Sequence, residues 1–263
     1  MMTISFFKYQ GTGNDFILID NRNNQIQAEN LPVSTIQFLC HRQFGIGSDG
    51  IMFLENSNQA DFRMKFFNPD GSAGMMCGNG GRCIVAFASY LGIIGNTTTF
   101  EAPDGLHFAE VHSNGIIKLQ MNRVSGIERG DDFFYLNTGA PHHILFENKG
   151  LNSDINLEAR KIRYSLKYKL QNGTNVNFAW KENAELWLRT YERGVENETL
   201  SCGTGVVATA IASSIHFPDI QSPVQVHTKG GVLQVYFTKN EQAIEDIWLS
   251  GMAMQVFSGQ VNI

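Results

Sequence analysis

Two stretches of the chain share an unusual pattern, Cys-Gly-Asn-Gly at residues 77–80 and Cys-Gly-Thr-Gly at residues 202–205. Each is followed by an apolar run, Arg82 to Leu91 in the first case and Val206 to Ile215 in the second. A glycine or a proline follows closely after each run, as is typical of a helix end. Because neither run has a polar face, each predicted helix must be surrounded by other parts of the protein.

The similarity between the two halves extends beyond these motifs. At an offset of about 125 residues, three blocks match in the same order. The blocks are Phe66 to Gly80 with Tyr191 to Gly205, Gly13 to Leu18 with Ala140 to Leu145, and Asp104 to Leu106 with Gly230 to Val232. Chance agreement among glycine turns is the alternative, since such turns recur in strand-rich chains. A single repeat this long indicates two similar domains, neither of which completes a site alone.

Both halves are rich in predicted strands. Alternating or short apolar runs lie at residues 4–8, 16–20, 51–54, 62–67, 116–121, 175–180, 186–191 and 232–237. With one helix in each half, the pattern predicts an α+β fold of two pseudo-symmetric domains. Each domain is expected to be a curved, mostly antiparallel sheet wrapped around a central helix. The expected domains are residues 1–121 and 122–255.

The composition is typical of a folded soluble protein, and its charge makes a small molecule the default partner. Of 263 residues, 43% are hydrophobic and 17% charged, and the length exceeds that of one usual core. A formal charge of -5 with scattered basic residues provides no face for nucleic acid. No window approaches the roughly 20 apolar residues needed to cross a membrane. Residues 1–9 carry no basic leader, so we expect a cytoplasmic protein.

A cysteine at the start of a helix has a chemical use. The thiolate is the reactive form, and a helix N-terminus lowers a thiol pKa. The neighbouring glycines let backbone N–H groups approach a carboxylate closely. Such donors would stabilise the charge that forms when an amino acid loses its α-proton. A second thiol on the opposite face would return a proton. The pattern therefore predicts a cofactor-free amino-acid epimerase in which Cys77 and Cys202 face one cleft.

Other interpretations of the four cysteines stay open at this point. A lone cysteine is most often a small buried hydrophobe, and we interpret Cys40 and Cys83 in that way because they lack the glycine frame. A zinc site is disfavoured, since no histidine lies at ligand spacing from these thiols. Pyridoxal phosphate remains open, although paired thiols make a Schiff-base lysine unnecessary. Outside catalysis, the alternatives are a two-lobed amino-acid-binding protein and a thiol redox switch.

The same residues carry a resemblance to a known family. The motifs concerned are Gly11 to Phe16, Phe67 to Gly71, Cys77 to Cys83, Pro141-His142, Asn175 to Asn177, Arg189 to Gly194 and Ser201 to Gly205. On these the sequence resembles the diaminopimelate epimerases along essentially its whole length. That family interconverts LL- and meso-diaminopimelate, for lysine and cell-wall peptides, without a cofactor. The resemblance further implies a homodimer, no metal, and a last strand, about 256–263, that rejoins the first domain.

The resemblance also implies roles for individual residues. Cys77 and Cys202 take the places of the catalytic pair. The cradle for the reacting carboxylate corresponds to Gly78, Asn79, Gly203 and Thr204. The remaining substrate-holding places correspond to Asn14, Asn68, Asn177, Glu192 and Arg193. The places thought to tune the thiols correspond to His142 and Glu192.

Some of these assignments have alternatives. The Arg193 guanidinium suits the far carboxylate of diaminopimelate, but the residue could equally form a surface ion pair with Glu196 or Glu198. Strand alternation is expected to send the rings of His142 and His143 to opposite sides, so at most one of them faces the site.

Two positions depart from the family pattern. Ala140 stands where an asparagine is common, and Gly50 stands where some members have glutamine. These departures concern the recognition of the far end of the substrate and leave the thiols untouched. A proline or hydroxyproline racemase of the same superfamily is the competing enzyme, but its substrate has no far charged end. A phenazine-biosynthesis-like isomerase shares the architecture and has no reason to keep both thiols.

Overall fold

The computed structural model describes residues 2–170, 172–182 and 185–263. Strands far outnumber helices in these ranges, which confirms the predicted α+β class. The chain divides into two compact units. Unit 1 is Met1–Leu119 with Gly251–Ile263, and unit 2 is Gln120–Ser250.

The first part of the chain alternates short strands with two helices. In chain order the elements are β1 (Thr3–Gly11), β2 (Asn14–Asp20), α1 (Val33–Cys40), β3 (Ile51–Glu55), β4 (Phe62–Phe67), α2 (Gly78–Tyr90), β5 (Thr97–Ala102), β6 (Gly105–Val111) and β7 (Ile116–Gln120). A short 3-10 helix at Ala28–Asn30 precedes α1.

The second part of the chain has a similar order of elements. They are β8 (Glu128–Arg129), β9 (Phe133–Asn137), β10 (Pro141–Phe146), α3 (Asn156–Arg163), α4 (Leu166–Lys169), β11 (Asn175–Glu182), β12 (Glu185–Glu192), β13 (Asn197–Thr199), α5 (Gly203–His216), β14 (Val224–Thr228), β15 (Gly231–Lys239), β16 (Ile244–Met252) and β17 (Met254–Asn262). The last strand, β17, pairs antiparallel with β1.

The strands pair in the same order in both units. In unit 1, β1–β2 is antiparallel, β2–β3 parallel, β3–β4 antiparallel, β4–β5 parallel, and β5–β6 and β6–β7 antiparallel. In unit 2, the pairs β9–β10, β10–β11, β11–β12, β12–β14, β14–β15 and β15–β16 follow the same alternation. The long helix is inserted at the same point, before β5 in one unit and before β14 in the other. The pairing therefore reproduces the repeat that the sequence indicated.

The three repeated blocks of sequence fall on corresponding elements. The block with the cysteine joins β4 to α2 and β12 to α5, and the second block lies on β2 and β10. In the third block, Gly105 and Gly231 begin the second strand of a hairpin with φ of +129° and +139°. Only glycine adopts such a φ without strain. The matching glycines are thus required by the same turn in each unit.

Helices α2 and α5 are the centre of their units. Helix α2 contacts β1, β2, β3, β6 and β17, and α5 contacts β9, β10, β11, β12, β14 and β15. Every residue of α5 from Gly205 to Ser214 is buried. The central helices predicted from the absence of a polar face are confirmed. Within the described ranges, no helix has the length and apolar character needed to cross a membrane.

The predicted position of both cysteines at helix N-termini is confirmed, but the apolar runs placed the two helix starts too late. Helix α2 begins at Gly78 rather than Arg82, and α5 at Gly203 rather than Val206. Glycine is a poor helix former, so the sequence pattern placed it in a loop. The first turn is nevertheless closed, because the Cys77 carbonyl accepts from Gly81 N–H at 2.8 Å and the Cys202 carbonyl from Val206 N–H at 2.9 Å. The cysteines therefore stand directly at the helix starts.

Candidate active site

Cys77 is the N-cap residue of α2, and its side chain takes part in the cap. The Sγ atom accepts a hydrogen bond from Gly80 N–H at 3.2 Å, and the thiol is half-buried. Helix geometry leaves the N–H groups of Gly78 and Asn79 without a carbonyl of their own helix to bind. A Cβ on Gly80 would lie 3.1 Å from this sulfur and 2.7 Å from Met52 Cε. Glycine is thus needed where the backbone closes on the thiol.

Asn79 and Asn14 form a connected pair of amides in unit 1. Asn79 Nδ2 donates to Asn14 Oδ1 at 3.3 Å, and Asn14 Nδ2 donates to Asp49 Oδ2 at 2.7 Å. At its other end, Asn79 Oδ1 accepts from Arg82 Nη2 at 3.0 Å and from Thr12 Oγ1 at 3.3 Å. Each amide is therefore oriented by a charged group, and the structure brings two predicted substrate residues together beside Cys77.

Asp49, which accepts from Asn14, belongs to a group of ion pairs. Arg42 Nη2 binds Asp49 at 2.6 Å and Asp15 at 2.8 Å, and Lys8 Nζ lies 2.7 Å from Asp15. Burial raises the pKa of Asp15, but hydrogen bonds from Arg42 and Lys8 outweigh burial and lower that pKa to about 2. Asp15 is therefore ionised at neutral pH, and its charge is engaged by two cations.

Cys202 caps α5 in a different way. The thiol is 7% exposed, and its Sγ lies 3.5 Å from Thr204 Oγ1 rather than bonding the helix backbone. Thr204 Oγ1 is also 3.0 Å from His142 Nε2, and the Thr204 carbonyl accepts from Thr138 Oγ1 at 2.8 Å. A chain of polar side chains thus leads from strand β10 to the sulfur.

The direction of the hydrogen bonds in this chain follows from Asn177. Its Nδ2 donates to the His143 carbonyl at 3.0 Å and its Oδ1 accepts from Thr190 Oγ1 at 2.9 Å. A carbonyl can only accept, so the amide cannot be turned over. The same Nδ2 lies 3.1 Å from His142 Nδ1, which must then be an acceptor. Neutral His142 consequently carries its proton on Nε2 and donates to Thr204, whose own proton can point to the sulfur of Cys202.

The charge state of His142 agrees with this direction. The side chain is fully buried, and burial lowers the pKa of His142 to about 3, with Arg193 acting in the same direction and Asn177 against it. His143 points elsewhere, as strand alternation predicted. Its Nδ1 lies 2.7 Å from Tyr168 Oη, and burial followed by the charge of Lys167 lowers the pKa of His143 to about 4.

The structure also shows local contacts for three further residues that were predicted to bind substrate. Asn68 follows β4, and its Nδ2 donates to Ser72 Oγ at 3.0 Å. Glu192 Oε2 accepts from Thr199 Oγ1 at 3.0 Å. Arg193 is held through its backbone N–H, which donates to Asn175 Oδ1 at 2.8 Å. Their roles toward a substrate stay predictions.

The proposed surface ion pair of Arg193 is wrong. Glu196 pairs with Arg163 at 2.9 Å, and Glu198 pairs with Arg189 at 2.7 Å. The two glutamates named as its partners are thus engaged by other arginines. Arg193 is half-buried at the end of β12.

Sequence reasoning missed three residues that hold this site in place. Thr190 and Asn175 orient Asn177 and Arg193, and Arg82 orients Asn79. Thr190 and Asn175 lie two residues from assigned positions on their strands, which was the available signal, because alternate residues share a face. Gly50, noted as a departure, has no room for a side chain, since a Cβ there would lie 2.3 Å from the Phe66 ring. In the part of the chain that is described, no group of three His, Cys, Asp or Glu side chains could hold a metal ion.

Comparison with known proteins places these features in a family. The family model for diaminopimelate epimerase matches residues 6–127 and 134–253. A diaminopimelate epimerase of Flavobacterium psychrophilum is 48% identical over 255 residues, covering 97% of this chain and 98% of that protein. One of Archaeoglobus fulgidus is 40% identical over 283 residues, with coverage of 100% and 98%. Among solved structures, a PhzF-family phenazine biosynthesis protein of Bacillus anthracis has a TM-score of 0.77 at 18% identity, with both chains fully covered, which shows a shared fold.

Proposed function

The chain belongs to the diaminopimelate epimerase family, and from this premise we propose that it inverts one α-carbon of diaminopimelate by proton transfer between Cys77 and Cys202, without a cofactor. The observation that carries the proposal is the cap position of each thiol. Both cysteines stand at the N-terminus of a buried central helix, each within a frame of glycines. Membership of the family supports an epimerase of the pathway to lysine, and the two-thiol mechanism is the finer part of the proposal.

The first requirement of the reaction is a site for the carboxylate next to the reacting carbon. When the α-proton leaves, its bonding electron pair moves into the carboxylate, which then resembles an enediolate. N–H groups of Gly78 and Asn79, and those of Gly203 and Thr204, are at helix starts where a negative charge is favoured. Donors aimed at developing charge are usually the largest contribution to such catalysis. We therefore assign the reacting carboxylate to these backbone groups.

The second requirement is a base and an acid on opposite faces of the carbon. One cysteine, as thiolate, forms an S–H bond with the α-proton, and the other, as thiol, gives its proton to the carbanion. The product then has the inverted configuration, and the protonation states of the two sulfurs have exchanged. Hydrogen, charge and electrons balance without any further reactant. The reverse reaction uses the same groups with their roles exchanged.

The third requirement is a way to stabilise the thiolates. Gly80 N–H donates to the Cys77 sulfur, and the His142–Thr204 chain directs a hydroxyl to the Cys202 sulfur. Hydrogen bonds to an ionised group favour the ionised form. We propose that His142 acts here as a neutral donor rather than as a cation, since burial lowers the pKa of His142 to about 3.

The far end of diaminopimelate carries a second ammonium and a second carboxylate. We assign their recognition to Asn14, Asn68, Asn177, Glu192 and Arg193, as the family pattern implies. An arginine fork suits a carboxylate, and the Glu192 carboxylate suits an ammonium. We further propose that the active form is a homodimer, which light scattering after size exclusion would test.

The substrate assignment is tested by comparing substrates on the purified protein with reductant and no added cofactor. LL-diaminopimelate and L-proline are incubated in parallel, and the enantiomeric or diastereomeric products are separated by chiral chromatography. We expect meso-diaminopimelate to form and L-proline to remain unchanged. Racemisation of proline without action on diaminopimelate would instead support the racemase alternative, and no inversion of either would support a binding protein.

A further inference from the structure

Arg82 is a buried cation whose hydrogen-bond partners are all neutral. Its side chain is 0% exposed, on the first turns of α2. Nη1 donates to the Gly78 carbonyl at 3.0 Å, and Nη2 donates to Asn79 Oδ1 at 3.0 Å and Thr12 Oγ1 at 3.2 Å. Within the described ranges, its Nε atom has no hydrogen-bond partner, and no carboxylate lies in an ion pair with the guanidinium.

Arg189 in unit 2 shows what a buried arginine ordinarily requires. It is 2% exposed, and its Nε and Nη2 bind the two carboxylate oxygens of Glu198 at 2.7 Å each. Burying a charge is costly unless an opposite charge compensates it. The charge of Arg189 is neutralised by Glu198, whereas Arg82 has no carboxylate partner among the described residues. This difference indicates that the positive charge of Arg82 stabilises an anion that is present only during the reaction.

The charge of Arg82 persists at neutral pH. Burial lowers the pKa of Arg82 to about 10, with Cys83 and Cys77 opposing the effect. Burial raises the pKa of the adjacent Cys83 to about 12, so that thiol stays neutral. The carboxylate of Asp15 is engaged by Lys8 and Arg42. Cys77, the N-cap of α2, lies one residue from the Gly78 carbonyl that Arg82 binds, and a negative charge on its sulfur would interact favourably with the guanidinium.

We propose that Arg82 is a positioning residue of the Cys77 half of the site, whose uncompensated charge stabilises the anion that forms at the start of α2. The identity of that anion, a thiolate followed by a substrate carboxylate, rests on the function proposed above. The same guanidinium fixes the Asn79 amide, because a donor at Oδ1 forces Nδ2 toward Asn14. One side chain thereby sets both the electrostatics of the thiol and the orientation of two amides.

The test measures thiol reactivity, which needs no turnover. The rate of alkylation by iodoacetamide is followed against pH for each cysteine, with peptide fragmentation separating Cys77 from Cys83. Removing a nearby charge shifts an ionisation by one unit or more, so for Arg82→Met we expect the pH midpoint of Cys77 alkylation to rise by about one unit. The Cys202 midpoint is expected to stay unchanged. Arg82→Lys keeps the positive charge and should leave the Cys77 midpoint close to its wild-type value.

The matched control is Arg189→Met, which removes an equally buried arginine that has its own carboxylate. We expect this variant to be less stable but to keep the Cys77 midpoint. An Arg82→Met protein that is folded by circular dichroism and alkylates Cys77 with the wild-type midpoint would overturn the proposal. Equal shifts at Cys77 and Cys202 would overturn it as well, because they would indicate a general loss of structure.

A second variant tests the charge without removing Arg82. Thr12 accepts from Nη2 and has a φ of +51°, a conformation that aspartate and asparagine tolerate better than threonine. We expect Thr12→Asp to pair with Arg82, raising the melting temperature, while moving the Cys77 midpoint upward relative to Thr12→Asn. If the shift is seen but diaminopimelate is not epimerised, the inference stands and the proposed function fails.

Discussion

At the scale of single residues, the two thiols differ in what stabilises them. The Cys77 sulfur accepts from a backbone N–H, whereas the Cys202 sulfur lies beside the hydroxyl of Thr204. A backbone donor cannot be removed by a side-chain substitution, but a hydroxyl can. The two thiols can therefore be perturbed independently.

Thr204→Val should act on Cys202 alone. Valine keeps the shape of threonine and removes the hydroxyl that links His142 to the sulfur. A hydrogen bond to a charged group contributes about 1.5 to 3 kcal/mol, so the pH midpoint for Cys202 alkylation should rise by about one unit. Alkylation rates against pH, read for Cys202 and Cys77 in the same sample, check this expectation.

Thr209→Val provides the matched control in the same helix. The Thr209 hydroxyl is buried and has no hydrogen-bond partner among the described residues, so its removal should stabilise the protein by about 1 kcal/mol. Neither thiol should change its midpoint. A Cys202 shift in Thr209→Val as large as that in Thr204→Val would show that the effect is not transmitted by the His142 chain.

Cys77→Ala and Cys202→Ala should each abolish turnover. Loss of a positioned acid or base typically costs about 100-fold to 10,000-fold, and each thiol is needed in both directions. The measurement is the rate of inversion of LL-diaminopimelate, with folding checked by circular dichroism. Cys40→Ala, which removes a buried thiol that binds Ser48, should keep the wild-type rate within a few-fold. A folded Cys77→Ala or Cys202→Ala enzyme with near-normal turnover would be incompatible with the two-thiol mechanism.

At the scale of elements, the site depends on how closely each helix start approaches its strands. A Cβ on Gly205 would lie 2.8 Å from Asn177 Oδ1, 3.2 Å from His142 Cε1 and 3.4 Å from Cys202 Cβ. The glycine therefore lets α5 begin directly against β10 and β11. Larger residues at this position would push the helix start away from the amide that orients His142.

Gly205→Ala should reduce stability and activity together. Overpacking of this kind costs about 1 to 3 kcal/mol, and displacement of Asn177 should disturb the hydrogen-bond chain to Cys202. Urea unfolding and turnover are measured on the same preparation. Gly95→Ala, where a Cβ meets nothing within 4 Å, is the comparison and should be close to neutral in both measurements.

The buried histidine of β10 makes stability depend on pH in a defined direction. The pKa of His142 is lowered to about 3 by burial, from 6.5. The unfolded chain therefore binds a proton that the folded chain rejects, so stability is complete above pH 6.5 and falls as the pH drops toward 3. Between pH 6.5 and pH 4 the His142 contribution should cost about 3 kcal/mol.

His142→Gln isolates this contribution from other acidic groups. The variant should be less stable than wild type at pH 7, because it loses the contact with Thr204, but should lose about 3 kcal/mol less between pH 7 and pH 4. Urea unfolding at the two pH values gives the difference, and His112→Gln, at an exposed histidine, serves as the control. Parallel pH dependence in wild type and His142→Gln would contradict the assignment of a buried neutral imidazole.

At the scale of the whole molecule, the sequence predicted the features that are repeated. Two matching glycine-framed cysteines predicted two central helices, and the positive φ of Gly105 and Gly231 explains why a glycine recurs in both hairpins. The eight predicted strands are all present, because alternating apolar residues mark one buried face directly. These patterns are local in sequence and could be recognised without coordinates.

What the sequence could not predict depends on contacts distant in the chain. The sequence around Arg82 does not show whether a carboxylate neutralises its charge, because the groups near the guanidinium come partly from the distant strands β1 and β2. The orientation of Asn177 likewise follows from Thr190 and the His143 carbonyl on neighbouring strands. The helix starts were placed too late because glycine is a poor helix former, and the sequence alone does not show that the cysteine cap closes the first turn.

The proposed mechanism requires two groups to exchange the proton, one on each face of the α-carbon. The most direct measurement is epimerisation of LL-diaminopimelate in deuterium oxide, stopped at low conversion, with deuterium at the α-carbon measured separately in substrate and product. The two-thiol account predicts that the meso product carries solvent deuterium from the first turnovers while the remaining LL substrate is still protiated. Product that retains its original proton, or deuterium that enters substrate and product at equal rates, would contradict it.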